Sequence, residues 1–342
     1  MKNNQLDPGN SHLHKVSVVI TAYNRTTFLG EAVNSIMRND RSEIDLELII
    51  ISNRDFHIDS IPEDVTFEKI IMEGTIGEYL KKGIEIAKGE IIAFLDDDDL
   101  WNPNKINRLT NVFSDSDIIF YHNLYLYIDQ LGRPVKHIRK VEKDDLDSFE
   151  TPLSFKASIQ EEKIRESIER RADFNLSCIA VRRSFALKFT DLLQKISSAP
   201  DGFFFWAAVM SNEVLFIDHL KLTKYRVHDS NTSGAKITEN KAKELQKEIK
   251  TFKILNQKVE EEVVDKNFQK IVRKWIDLYY YEYTLIYLIL FEKRKLPIIE
   301  VSLLILRIGW KIHNPLKFRV MFLAFISVIN KKLALFVYNY TH

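Results

Sequence analysis

The sequence predicts an α/β fold, in which a sheet built around parallel strands carries helices on both faces. Short apolar runs, typical of strands buried on both faces, alternate along residues 15–235 with stretches whose apolar residues recur every three or four positions. Residues 236–342 show helical patterns interrupted only by Pro297 and Pro315. We therefore expect a flexible tail over 1–14, an α/β domain over 15–235 and a helical extension over 236–342.

The individual elements are clearest before residue 122. Helices are predicted from about Thr27, over 78–88 with Gly89 as its C-terminal cap, and after Asn102 and Pro103, which are typical of a helix start. Apolar runs predict strands over 16–20, 46–51, 91–95 and 117–121.

Composition excludes several classes of protein. The net charge of +1 gives no overall field that would attract a polyanion, so we expect no nucleic-acid partner. The single cysteine, Cys178, excludes an internal disulfide and a four-cysteine zinc site, and it suits a reducing, cytoplasmic location. Only 10 glycines are present, and neither common glycine-rich phosphate-binding motif occurs. A phosphorylated ligand would need its charge neutralised in another way.

Two further segments are unusual in charge. Residues 140–171 are rich in charge and lack a clear period, so we expect an excursion, part loop and part helix, able to cover a cleft. Residues 285–342 carry nine lysines and arginines against two glutamates, and their apolar runs are shorter than the ~18 residues that cross a bilayer. This segment either packs on the protein or lies peripherally on a membrane, at the inner face of the cell membrane.

Four consecutive aspartates, residues 96–99, directly follow the predicted strand 91–95. Polar turns, over 21–25 and 52–55, also follow the first two predicted strands. Because ligands bind at the carboxyl ends of strands in open α/β sheets, we expect the three turns to meet in one crevice. Neighbouring carboxylates repel one another, so the acidic run either is a solvated turn or holds a hard cation such as Mg²⁺ or Mn²⁺.

Three segments, in the same order along the chain, resemble family 2 glycosyltransferases of the GT-A fold. They read VSVVITAYNR over 16–25, GEIIAFLDDDDLW over 89–101 and YRVHDSNTS over 225–233. The resemblance covers about residues 15–235. It implies a GT-A, Rossmann-like mixed sheet flanked by helices and a nucleotide-sugar donor.

The resemblance also implies roles for the residues of the donor site. Asp96 is expected to contact the donor ribose or the metal, and Asp98 and His228 to ligate the cation. Arg226 is expected to face the diphosphate, which suits the bidentate geometry of a guanidinium. The resemblance places Ala22 and Tyr23 in the nucleobase pocket. The amides of Asn24 and Asn53, in the polar turns beside them, are further candidates for donor binding.

By the same resemblance, Asp201 is the expected general base that accepts the proton of the acceptor hydroxyl. An ordinary helix N-cap before Gly202 is the structural alternative. Pro200 stands where relatives carry a glutamate, and Ser52-Asn53 stands where many carry two aspartates. An asparagine both donates and accepts hydrogen bonds, so uracil and guanine remain open as the donor base.

These features predict a metal-dependent inverting glycosyltransferase that uses Mn²⁺ or Mg²⁺ in glycan or glycolipid synthesis. It would move a sugar from a nucleotide-sugar donor to a hydroxyl of a glycan or a lipid-linked acceptor. One alternative is a catalytically silent binding protein that keeps the fold. Another is a nucleotidyltransferase, although the glycine-rich phosphate loop expected of that class is missing.

Overall fold

The computed structural model of the protein describes residues 14–135, 148–158, 160–228, 239–291 and 325–326. Within these residues, nine strands form one mixed sheet with the order β3-β2-β1-β4-β8-β6-β9-β5, and β7 pairs with β9. Strands β1 to β4 run parallel where they pair, whereas β8 is antiparallel to both β4 and β6. The strands are β1 (His14–Ala22), β2 (Ile44–Ser52), β3 (Val65–Ile71), β4 (Ile91–Asp96), β5 (Leu100–Trp101), β6 (Ile118–Ile128), β7 (Leu153–Lys156), β8 (Ile179–Arg182) and β9 (Val214–Arg226).

Helices cover both faces of this sheet. Val19 and Phe94 pack into the core on one face, together with α2 and α7, while Val18 and Ile20 pack into the core on the other, together with α1 and α3. This alternation explains why the central strands read as continuous apolar runs. The helices are α1 (Leu29–Met37), α2 (Ile76–Ile86), α3 (Lys105–Phe113), α4 (Glu161–Glu169), α5 (Arg183–Lys188), α6 (Thr190–Leu193), α7 (Pro200–Ser211), α8 (Glu239–Glu262) and α9 (Lys266–Phe291).

The C-terminal helices α8 and α9 pack on the α/β domain through aromatic side chains. Phe252 of α8 stacks on Tyr279 and Tyr283 of α9, with ring centroids 5.1 and 5.6 Å apart. Trp206 of α7 meets Tyr279 edge to face at 5.9 Å. None of the helices in the described ranges is both long and apolar enough to cross a membrane. Most of the basic segment 285–342, like residues 1–13, lies outside the described residues.

The fold class is confirmed, and the structure corrects several boundaries. Helix α2 ends at Ile86 with Ala87 as its cap, so Gly89 is not a cap. A Cβ atom on Gly89 would lie 2.5 Å from the backbone nitrogen of Ser17, so the glycine permits close contact between chain segments. Helix α3 begins at Lys105, and Asn102 lies outside it.

The predicted excursion over 140–171 contains regular structure in its described part. It forms β7, which pairs with β9 at the edge of the sheet, and then α4. Residues 136–147 lie outside the described residues. Strand β3, which the apolar pattern did not reveal, is the edge strand of the parallel half, and after Val65 its residues are exposed or only partly buried.

Candidate active site

The carboxyl ends of β1, β2 and β4 lie side by side and bring the three polar turns to one edge of the sheet. Ala22 at the end of β1 pairs with Ser52 at the end of β2, and Thr21 pairs with Asp96 at the end of β4. The expected convergence of the turns therefore follows from the parallel register of these strands.

The acidic run is part of the interior. Asp97, Asp98 and Asp99 are 3%, 5% and 0% exposed, and Asp96 is half-buried. Burial and the charges of the neighbouring aspartates raise the pKa of Asp96 well above its ordinary value. Burial likewise raises the pKa of Asp97 to about 6 and that of Asp99 to about 7. The alternative of a solvated turn is therefore wrong, and these carboxyls need cationic or hydrogen-bonding partners.

Arg25, in the turn after β1, supplies the nearest positive charge. Its Nε donates to Asp97 Oδ2 at 3.0 Å, and its Nη2 donates to Asp97 Oδ1 at 3.1 Å and to Asp98 Oδ2. Burial alone would lower the pKa of Arg25, but the hydrogen bond with Asp97 and the charges of the aspartates raise it above its ordinary value. The guanidinium thus neutralises part of the acidic run.

His228 lies against the same carboxylate. Its Nε2 is 2.9 Å from Asp98 Oδ2, and its ring packs on Phe28 with centroids 5.4 Å apart. The two residues expected to ligate a cation are therefore in contact. Within the described part of the chain, no group of three or more His, Cys, Asp or Glu side chains is arranged to hold a metal ion.

Asp201 lies in the first turn of α7. Its Oδ2 accepts the backbone N–H of Asn175 and its Oδ1 accepts that of Gly202, each at 2.9 Å. Burial raises its pKa to about 6, and its charge makes a minor contribution to the raised pKa of Asp96. Helix α7 begins at Pro200 with Ala199 as the N-cap, so Asp201 is not the cap.

Asn175 connects the acidic run to Asp201. Its backbone nitrogen donates to Asp201, its Nδ2 donates to Asp99 Oδ2 at 2.9 Å, and its Oδ1 accepts the N–H of Ser177 at 2.7 Å. Its φ of 68° places it in the left-handed region, which asparagine tolerates better than most residues. Ser177 in turn accepts the N–H of Asp96 through its Oγ at 3.0 Å. One turn therefore positions both ends of the site.

A buried lysine supports that turn from below. Lys105 Nζ donates to the carbonyl of Ser177 at 2.5 Å and to Thr223 Oγ1 at 2.9 Å, and it lies 4.6 Å from the ring of Trp101. Burial lowers its pKa to about 7. The lysine therefore ties the beginning of α3 to the turn that carries Ser177 and to β9.

The other side of the crevice carries an exposed aromatic ring beside a pair of amides. Tyr23 is 56% exposed, and its ring lies 6.3 Å from that of Tyr79. Asn24 donates its backbone N–H to Asn53 Oδ1 at 2.8 Å, and Asn53 Nδ2 donates to Asn24 Oδ1 at 2.9 Å. After this pairing, Asn53 keeps one N–H and one acceptor position for a ligand, and Asn24 keeps both side-chain N–H groups and one acceptor position.

Comparison with known proteins identifies the family of this site. The family model described as "Glycosyl transferase family 2" matches residues 17–192, which is more than half of the chain. The chain belongs to glycosyl transferase family 2. This assignment confirms the resemblance found in the three sequence segments.

The family 2 chain is similar to proteins from several bacteria. It is 33% identical over 111 residues to an uncharacterized glycosyltransferase of Nostoc, in a stretch covering 31% of this chain and 34% of that protein. It is 26% identical over 247 residues to one of Rickettsia typhi, covering 67% of this chain and 69% of that protein. The similarity thus spans about a third of the Nostoc protein and two thirds of the Rickettsia protein.

Among solved structures, the chain is similar to residues 1–349 of S. aureus TarS, with a TM-score of 0.57 and 13% identity over 95% of this chain and 91% of that chain. TarS crystallised with UDP-GlcNAc gives a TM-score of 0.57 at 12% identity. At this identity the likeness shows the fold alone, and it confirms the expected GT-A architecture.

The structure brings most of the predicted site residues of this family 2 chain to one sheet edge. Ala22, at the end of β1, is fully buried, and Arg226 is fully buried beneath the acidic run. Its Nε donates to the carbonyl of Asp98 at 2.7 Å, its Nη2 to Glu31 at 2.7 Å and its Nη1 to the carbonyl of Gln130 at 2.8 Å. Its backbone N–H donates to Asp99 at 2.9 Å. These contacts hold the acidic run in place, and contact of Arg226 with a diphosphate stays a prediction.

Three residues of the site were missed by sequence reasoning. Arg25 stands in a recognised segment, and its position beside the aspartates could have been inferred from the adjacent strand ends. Asn175 and Lys105 carry no local signal, because their partners are distant in sequence. A glycan or lipid-linked acceptor and membrane contact through 285–342 stay predictions from composition.

Proposed function

We propose that this protein is a metal-dependent inverting glycosyltransferase that transfers a sugar from a nucleotide-sugar donor to an acceptor hydroxyl. The observation that carries the proposal is the arrangement at one sheet edge. An exposed aromatic ring and two amides follow β1 and β2, Asp98 contacts His228, and Asp201 is joined to the acidic run through Asn175. The UDP-GlcNAc complex of TarS, which shares the fold, supports a nucleotide-sugar donor.

The residues suit a divalent cation in the chemistry of their donor atoms. Asp98 Oδ2 and His228 Nε2 lie 2.9 Å apart, and a carboxylate oxygen with a neutral imidazole nitrogen is a common pair of ligands. Asp96, whose pKa is raised by burial and by the surrounding acids, lies in the same negative field. A bound ion would offset the charge that develops on the departing diphosphate.

The proposed reaction exchanges one bond for another. The Asp201 carboxylate accepts the proton of the acceptor hydroxyl while the acceptor oxygen bonds to the anomeric carbon, and the bond from that carbon to the diphosphate oxygen breaks. Burial raises the pKa of Asp201 to about 6, which leaves it ionised at neutral pH yet more basic than an exposed aspartate. Attack from the face opposite the leaving group inverts the anomeric configuration.

The test is donor turnover with water as the acceptor. Release of the nucleoside diphosphate, UDP or GDP, from a panel of UDP- and GDP-sugars is measured with Mn²⁺, with Mg²⁺ and with EDTA, for the wild type and two variants. Asp98→Asn should lose metal-stimulated release. Asp201→Asn should bind UDP normally but transfer on the order of 10²–10⁴-fold more slowly, the usual effect of losing a general base.

Glu63→Gln serves as the control, because this exposed carboxylate precedes β3 at the opposite edge of the sheet. It should leave release unchanged. Release that is equal with EDTA and with Mn²⁺ would contradict metal dependence. UDP binding without turnover of any donor would favour the silent binding protein, and turnover of a sugar 1-phosphate with a nucleoside triphosphate would favour the nucleotidyltransferase.

A further inference from the structure

The guanidinium of Arg25 contacts the two atoms that, in the proposed function, bind the cation. Its Nη2 donates to Asp98 Oδ2, the same oxygen that lies 2.9 Å from His228 Nε2. Its Nη1 is 3.5 Å from that His228 nitrogen. Two further hydrogen bonds, at 3.0 and 3.1 Å, hold the guanidinium on Asp97. One side chain thus occupies the space in front of both expected ligands.

A divalent ion and this guanidinium cannot share those atoms. An ion that binds both a carboxylate oxygen and an imidazole nitrogen lies about 2 Å from each, in the space that the Arg25 guanidinium now occupies. The ion and the guanidinium would be two positive charges in contact, and such charges repel strongly in a buried site. Arg25 must therefore leave Asp98 and His228 before an ion can bind.

Arg25 has a route away from the aspartates. Its side chain is 28% exposed, whereas those of Asp97 and Asp98 are almost fully buried. The preceding residue, Asn24, is fixed by its amide pairing with Asn53, so the start of the turn is anchored while the long side chain can turn outward. A guanidinium is suited to bidentate contact with phosphate oxygens, and a donor diphosphate would approach from this open side.

We propose that Arg25 is the counter-ion of the aspartates in the donor-free site, and that its side chain moves from the aspartates to the donor diphosphate when the divalent ion binds. The inference rests on the proposed function. Without a nucleotide, the ion must displace Arg25 from the aspartates and leave the guanidinium without a replacement for them, which weakens ion binding. With a nucleotide, the diphosphate replaces those partners, so the ion and the nucleotide strengthen each other's binding.

The test measures Mn²⁺ binding by electron paramagnetic resonance of the free ion, with and without UDP. Arg25→Gln removes the competing charge, so it should bind Mn²⁺ about ten- to a hundredfold more tightly than the wild type without UDP, the range expected for a charge-assisted hydrogen bond. The gain in Mn²⁺ affinity on adding UDP should be correspondingly smaller in this variant. Arg38→Gln, which removes an equal charge from the exposed residue after the end of α1, should bind Mn²⁺ like the wild type.

A second variant separates charge from geometry. Arg25→Lys keeps the positive charge but not the planar fork, so its Mn²⁺ affinity without UDP should match the wild type while its gain with UDP falls. Equal Mn²⁺ affinities of the wild type and Arg25→Gln, or weaker binding by the variant, would overturn the counter-ion role alone. No Mn²⁺ binding by any of the proteins, even with UDP, would refute the metal dependence and this inference together.

Discussion

Replacing Asn175 with alanine should destabilise the protein by about 4 kcal/mol. The hydrogen bond from Nδ2 to the buried carboxyl of Asp99, at 2.9 Å, contributes about 1.5–3 kcal/mol, and the bond from Ser177 N–H to Oδ1, at 2.7 Å, about 1 kcal/mol. Alanine at a φ of 68° costs a further 1–2 kcal/mol, roughly. Alanine keeps the backbone N–H that donates to Asp201. The decrease in the free energy of unfolding therefore measures only the loss of the side chain and the cost of the backbone conformation.

The assay is urea unfolding at neutral pH, followed by tryptophan fluorescence. Asn175→Gly makes the same two side-chain deletions without the conformational cost, so it should lose about 1 kcal/mol less than the alanine variant, after allowance for the greater freedom of unfolded glycine. Asn212→Ala is the control for burial, because Asn212 also has a positive φ, of 54°, but lies exposed at the end of α7, where its Oδ1 accepts the backbone N–H of Ser158 at 3.1 Å. It should lose about 1–2 kcal/mol.

Three results would refute this reasoning. A loss below about 1 kcal/mol for Asn175→Ala would mean that Asp99 and Ser177 do not depend on the asparagine. A loss for Asn175→Gly equal to or larger than that of Asn175→Ala would mean that the left-handed backbone carries no cost. Similar losses for Asn175→Ala and Asn212→Ala would show that burial of the hydrogen bonds adds nothing.

Two other predictions concern a catalytic pKa and a packed glycine. Because the pKa of Asp201 is raised to about 6, donor turnover should rise between pH 5 and 7, and Asp201→Asn should lack that rise. As pH rises from about 4 to 7, the melting temperature of the wild type should fall relative to that of Asp201→Asn, because protonation of the wild-type carboxyl favours the folded state below about pH 6. A difference in melting temperature that does not change with pH would contradict the raised pKa. Gly77→Ala should cost about 3 kcal/mol, because its Cβ would lie 2.0 Å from the carbonyl oxygen of Leu193, whereas Gly30→Ala, with open space around it in α1, should stabilise by about 0.5–1 kcal/mol. Equal melting temperatures for the two glycine variants would contradict this.

Much of the fold could be predicted because its determinants are local. A strand buried on both faces must be apolar throughout, and a helix covering a sheet must repeat its apolar residues every three or four positions, so β1, β2, β4, α1, α2 and α3 were recognisable. The edge strand β3 lacks a continuous apolar run, because it is buried much less than its neighbours. It was therefore missed.

The acidic run was evident as a chemical feature, but its burial was not. The same four aspartates would suit a solvated turn, and only the packing of β9 and the 3-10 turn at Leu176–Cys178 around them removes water. Arg25 joins Asp97 from 72 residues away, and Asn175 joins Asp99 from 76 residues away. No periodicity or spacing encodes such pairs.

The sequence by itself determined the family, the parallel strands and the edge at which the polar turns meet, because these depend on residue types repeated along short segments. Tertiary structure alone decided which charges face each other. It placed Arg25 on Asp98 and His228, and it directed Arg226 inward to support the acidic run. The reason is physical: the pKa of a carboxyl and the partner of a guanidinium depend on the distance to groups that folding brings together and on the water that folding excludes.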